Sequence, residues 1–239
     1  MGFLAVLLLV VSSPALADGP VRAVLDGDTL VVESVQVRLA GLLAPKGDEA
    51  GAAAAREELE SLALGRRLIL DDEERPIDRH GRRLAQATLE NGTWLQGEML
   101  RRGLARVQTL PDARGRAREM LALEAEARTA RRGLWADKAW RPRGPVPGPL
   151  LKEAGSFQLV EGRVAAAARV KGTVYLNFDD NWRTDFTAVL GKAALKLFKA
   201  DGVDPLAYKS RLVRVRGWLA SRDGPAIDVT HPEQIEVLE

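Results

Sequence analysis

Asp26-Gly-Asp-Thr-Leu-Val-Val-Glu-Ser-Val-Gln-Val-Arg-Leu-Ala-Gly-Leu-Leu-Ala-Pro-Lys46 is the stretch around which the rest of this chain is read. Asp26-Gly27 is a tight-turn pair, residues 29–32 are apolar and β-branched in type, and Val35, Val37 and Leu39 alternate with Gln36 and Arg38. That spacing predicts two short strands followed by a loop. It sets a carboxylate, Asp28, at a strand end and a guanidinium, Arg38, inside the next strand. A carboxylate held by rigid backbone suits a hard divalent cation, and a fixed guanidinium fork suits phosphate.

Working outward, Asp78-Arg79-His80-Gly81-Arg82-Arg83-Leu84-Ala85 adds a second cluster of anion-binding side chains just before another apolar strand pattern. Further on come Glu98-Met99-Leu100-Arg101-Arg102-Gly103-Leu104-Ala105-Arg106-Val107 and Gly133-Leu134-Trp135. Taken in order, these segments resemble the staphylococcal nuclease (thermonuclease) family. Its first strands carry Asp-Gly-Asp-Thr, then Arg-Leu, then a Pro-containing loop, and a later loop reads Asp-x-x-Gly-Arg. The resemblance covers residues 20–140 and is far more specific than any one motif.

The resemblance implies a calcium-dependent phosphodiesterase site with two Asp ligands, a Glu and two Arg. Position by position, Asp28 matches the first ligand and Arg38 and Arg82 match the two arginines, the donors to phosphate and to the charge that grows on it. The second Asp position holds Leu43, and the Glu position, just after Pro45, holds Lys46. Leucine offers no oxygen to a cation. A lysine, with a reference pKa of about 10.4, is protonated at neutral pH and takes no proton from water. Calcium, the implied cofactor, is thereby left without its second ligand. Asp48 and Glu49 are the nearest substitutes, although acids at that place also suit a helix N-terminus. A Tyr expected after Gly103 is replaced by Thr109, and His80 stands where the motif often has another Tyr. What survives is an anion-binding set, Arg38, Lys46, Arg79 and Arg82, around one retained Asp.

The 239 residues carry a net charge of +2 that conceals a segregation: residues 18–74 hold 6 basic and 13 acidic side chains, residues 75–143 hold 16 and 8. A positive flank beside an acidic pocket suits a polyanion held near a cation. With zero cysteines, disulfides, thiolate metal sites and a Cys nucleophile are excluded. Residues 1–17 are uncharged and apolar and end in Ala-Leu-Ala. They read as a signal peptide cleaved after Ala17, too short to span a bilayer, and predict an exported, periplasmic or secreted protein. No Lys or Arg precedes the apolar run, so an uncleaved anchor is the other reading.

The pattern predicts a mainly β fold with α, built from two small OB-type five-stranded barrels. Residues 18–140 form the first, with packed helices over 48–64, 93–102 and 112–132 and the acidic stretch 71–74 in a loop. Residues 141–154, Pro- and Gly-rich over 141–149, form a linker. Residues 155–239 form the second barrel, with strands over 157–164, 173–178, 185–190, 212–219 and 226–229 plus 235–238 and a helix over 192–199. Tyr175, Phe178, Trp182 and Trp218 read either as core and rim packing or as a base-stacking platform with Arg214 and Arg216 on phosphate. Three functions stay open at this point. One is binding of nucleic acid, single-stranded by preference, or another polyanion with hydrolysis weak or lost; another is a divalent-metal endonuclease; the third is a non-catalytic scaffold for protein partners.

Overall fold

The computed structural model describes residues 19–181 and 183–239, so the signal-peptide reading of residues 1–17 and the stacking role considered for Trp182 lie outside the described residues. The chain begins with β1 (Gly19–Asp26), β2 (Thr29–Val32) and β3 (Val35–Leu39), joined by tight turns into an antiparallel meander. β5 (Arg67–Ile77) and β6 (Arg83–Leu89) close it into a barrel of order β1-β2-β3-β6-β5, in which only the β3 to β6 pairing is parallel. β4 (Leu42–Leu43) leaves the barrel to pair with β7 (Arg106–Val107).

Three helices, α1 (Ala52–Ala63), α2 (Leu95–Arg101) and α3 (Ala117–Thr129), cover the barrel. Their apolar stripes put Leu59, Leu95, Met99 and Leu100 against Leu30, Val37, Leu39 and Leu68 in one buried cluster. The chain passes from α2 toward β7 through Gly103, at φ +72°, and a Cβ there would meet the carbonyl oxygen of Arg132 at 2.3 Å. Only glycine allows both the left-handed turn and that close crossing.

The second half carries β8 (Phe157–Arg163), β9 (Ala166–Val170), β10 (Thr173–Asn177), β11 (Thr187–Leu190), α5 (Lys192–Ala200), β12 (Leu212–Arg222), β13 (Gly224–Val229) and β14 (Ile235–Val237). Its pairings run β9-β10-β11 antiparallel, β11 to β13 parallel, β13 to β12 and β12 to β8 antiparallel. With β8 and β9 taken as one interrupted strand, this is the pairing order of the first barrel, around a separate core of Phe186, Phe198, Val213, Val215 and Ile227.

Four expectations are corrected. Residues 71–74 are not a loop but the middle of β5: Asp71 and Asp72 pair with Gln86 and Ala85, Arg83 holds Asp72 at 2.7 Å, and Gln86 holds Glu73 at 2.7 Å. Cross-strand partners offset the low strand preference of the acids. The helix expected from residue 48 starts at Ala52, because Gly51 at φ +89° interrupts it. The helix expected from 112 starts at Ala117. The stretch 141–149 contains the start of a short helix, α4 (Pro147–Leu151), with proline in its first turn, where a missing N–H is harmless. Residues 141–154 are also packed: Leu150 is buried, and Arg143 exchanges backbone bonds with Leu159 and Glu161 at 2.8 Å. Strand β9, not expected from the sequence, is made mostly of alanines and pairs along its whole length with β10.

Candidate functional site

The barrel's register assembles the site. Across β2 and β3, Thr29 pairs with Arg38, and in the parallel pair Arg38 lies opposite Leu84, so Arg82 enters just before β6 on the same end. Between β1 and β2, Gly27 packs so closely that a Cβ would lie 2.6 Å from Ala55 and 2.7 Å from Ala44. The Asp26 to Thr29 turn is thereby pressed onto α1 and onto the loop that carries Lys46.

Asp28 is fully buried and its carboxylate faces four donors. Oδ2 accepts the Ala44 N–H at 2.8 Å; Oδ1 accepts the Thr29 hydroxyl at 3.0 Å and Lys46 Nζ at 2.7 Å, and it also pairs with Arg38. The same Lys46 ammonium donates to Asp26 Oδ2 at 2.6 Å. It therefore sits between two carboxylates, in the place and with the sign of a bound cation. Burial pulls the Lys46 pKa below the usual lysine value, against the bond to Asp26, and Arg38 and Arg82 pull the same way.

Arg38 is buried and also donates to the carbonyl oxygen of Leu42 at 2.6 Å. Burial, with Arg82 nearby, lowers its pKa to about 10. Arg82 is gripped by Asp78 at 2.8 and 2.7 Å and reaches Thr29 at 3.2 Å. Burial alone would raise the Asp78 pKa, but bonds from Arg82 and the His80 N–H hold it below the usual carboxylate value. Arg79 is exposed, its Nε donating to His80 Nε2 at 3.0 Å. Arg38, Lys46, Arg79 and Arg82 all line one cleft of about 790 Å³.

The expected substitutes for the missing carboxylates do not enter. Glu49 accepts the Lys46 backbone N–H at 2.8 Å, closing a turn, and Asp48 is exposed in that turn. Among the described residues no group of three or more His, Cys, Asp or Glu is placed to hold a metal. Leu43 packs against Ala127, Trp135, Phe157 and Leu159, an apolar cluster shared with the second half. Calcium, which the resemblance implies, does not fit this donor set: an ammonium stands between the two carboxylates and a hydrocarbon occupies the second ligand position.

Residues 36–137 match the family model described as staphylococcal nuclease homologue, a span that holds Arg38, Leu43, Lys46 and Arg82 but begins after Asp28. The chain is 35% identical to Protein ParB of Escherichia coli over 56% of this chain and 81% of that protein. It is 34% identical to a micrococcal nuclease of Shigella flexneri over 56% of this chain and 83% of that protein. An uncharacterized endonuclease of Escherichia coli O157:H7 is 32% identical, with 61% and 93% covered. The chain belongs to the staphylococcal nuclease family.

The second half of this chain, which lies beyond the matched span, contributes to the surroundings of the site, with Trp218 lining the same cleft. Arg214 and Arg216, considered as phosphate contacts, are both buried and committed. Arg214 pairs with Glu161 at 2.6 Å and Glu236 at 3.1 Å. Arg216 bonds Glu236 at 2.6 Å, Glu124 of α3 at 2.8 Å and the carbonyl of Val107 at 3.0 Å. Burial opposes the charge on Arg216, but Glu124 and Glu236 raise its pKa. Phe178 is buried beside Phe186, which makes it core, while Tyr175 and Trp218 are exposed. His231 is buried and joined to Thr109 at 2.7 Å and Thr230 at 2.9 Å. Glu124 and His231 escaped the sequence reading because their partners lie about a hundred residues away; an acid at an inward helix position was the signal available for Glu124.

Among the described residues no helix is long and apolar enough to cross a membrane.

Proposed function

We propose that this member of the staphylococcal nuclease family binds single-stranded nucleic acid, or another phosphate-bearing polyanion, and hydrolyses it weakly or not at all. The observation that carries the reading is the Lys46 ammonium, 2.6 Å from Asp26 and 2.7 Å from Asp28. A tethered cation there occupies Oδ1 of Asp28, repels a metal ion and supplies no base for water. The outward donors of Arg82 and Arg79, with the remaining proton of Lys46, face the cleft and suit phosphate oxygens. Arg38 acts mainly by holding Asp28 and the β4 backbone. Residues 1–17 acting as an export signal, and residues 155–239 acting as a second OB-type unit behind 18–140, belong to the same proposal; the repeated pairing order supports the latter.

The test is fluorescence anisotropy of a labelled single-stranded oligonucleotide over a salt series, with gel assays for cleavage in calcium and in chelator. Binding that weakens steeply with salt, without calcium-dependent cleavage, is expected. Calcium-dependent cleavage that disappears in Asp28→Ala would show an active endonuclease instead, and salt-insensitive or absent binding would favour a scaffold for proteins. Cell fractionation checks the export proposal, with the full-length precursor in the cytoplasm as the contrary result.

A further inference from the structure

The cleft that holds the cations is also lined by three exposed apolar side chains: Ile77 at the end of β5, Leu110 in the loop before α3, and Trp218 of β12. Water is a poor neighbour for such groups, and their gathering in a cationic cleft marks a ligand with both flat apolar and anionic parts. Trp218 is 53% exposed. It is nonetheless held from behind.

Strand alternation puts Arg214, Arg216 and Trp218 on one face of β12. Arg216 ties that face to Glu124 and Val107 of the first half, as described. Phe157, the register partner of Trp218, touches the indole edge-on with centroids 5.9 Å apart. Arg106, buried in the first half, stacks over the Phe157 ring and donates to its carbonyl oxygen at 2.6 Å. The indole is thus presented to the cleft by a rigid strand rather than by a loop, with its orientation set before any ligand arrives.

We propose that Trp218 is the base platform of this cleft: a nucleobase of single-stranded nucleic acid stacks on its indole while the adjoining phosphate is held by Arg82, Arg79 and Lys46. This rests on the phosphate-binding reading above and deepens it. A duplex keeps its bases paired and stacked inside, so an indole platform selects single strands. Stacking reads a π-face that every base has, so the cleft is tolerant of sequence.

The experiment compares binding of a single-stranded oligothymidylate with that of an abasic phosphate backbone of the same length, by wild type, Trp218→Ala and Trp218→Phe. Far-UV circular dichroism checks the fold of each. Wild type is expected to favour the base-bearing strand by about tenfold. Trp218→Ala is expected to lose that preference while its affinity for the abasic backbone is unchanged, and Trp218→Phe to keep most of it. Equal wild-type affinity for the two strands, or a Trp218→Ala defect of the same size on both, overturns the platform and leaves the phosphate site standing. If wild type binds neither strand, the phosphate-binding reading fails and the platform with it.

Discussion

At position 43 a carboxylate would now face carbon. Leu43 is half-buried, packed on one side against the cluster of Phe157, Leu159, Trp135 and Ala127 and on the other lining the cleft with Arg38 and Lys46, so an acid there gives up apolar contact and part of its hydration. Leu43→Asp is expected to destabilise by about 2–4 kcal/mol, more than Leu43→Ala, read as a lower urea midpoint at neutral pH. A Leu43→Asp variant as stable as Leu43→Ala would mean that the cluster opens to water. Restoring both carboxylates with Leu43→Asp and Lys46→Glu therefore perturbs the seat of the second half as well as the metal position. Lys46 is different, because its partners Asp26 and Asp28 lie within about twenty residues of it, and the resemblance implied that Asp28, Arg38, Lys46 and Arg82 share one pocket. That part of the site was legible in the sequence. The departure at Leu43 was legible too, but its reason was not, since Phe157 and Leu159 lie more than a hundred residues on.

Strand β12 joins the halves, and the sequence left its face open between packing and phosphate contact for the same reason. Alternating arginines on a strand look like a solvated or phosphate-binding edge until the partner surface is known. Here Glu124, fully buried on α3, accepts from Arg216 and from the Val107 N–H, and Arg128 pairs with it at 3.2 Å. Burial would raise the Glu124 pKa, but Arg216 chiefly, then the Val107 N–H and Arg128, hold it below the usual carboxylate value. Breaking one side of such a pair strands a buried charge. Arg216→Met is expected to cost about 3–5 kcal/mol, and Arg216→Met with Glu124→Leu to recover part of that, in urea unfolding. A double variant no better than the single one would locate the loss in packing rather than charge. Strand β5 carries the converse lesson: its acids resemble a loop in isolation, and β6 supplies the partners that make them a strand.

At the scale of the whole molecule, the two halves meet through buried polar contacts that depend on protonation. Burial first, then Arg114 and Arg216, push the His231 pKa down to about 4. An unfolded histidine titrates near 6.5, so between these values only the unfolded chain binds the proton. Stability is full above about 6.5 and falls as the pH drops toward 4, by up to about 3 kcal/mol from this group. His231→Gln should flatten that part of the profile in urea unfolding at several pH values; an unchanged slope would assign the acid sensitivity elsewhere.

The same scale governs the cation question, since anything that binds only the folded chain stabilises it, by about 2.7 kcal/mol at a hundred times its dissociation constant, and so raises its melting point. The direct measurement is thermal unfolding of wild type and Lys46→Glu across a calcium titration. With the Lys46 ammonium seated between Asp26 and Asp28, the wild-type midpoint is expected to stay constant, while Lys46→Glu, which exchanges the tethered cation for a third carboxylate, gains a calcium-linked rise. A saturable rise of several degrees in the wild-type protein would contradict the account, because calcium would then be displacing an ammonium said to hold its place.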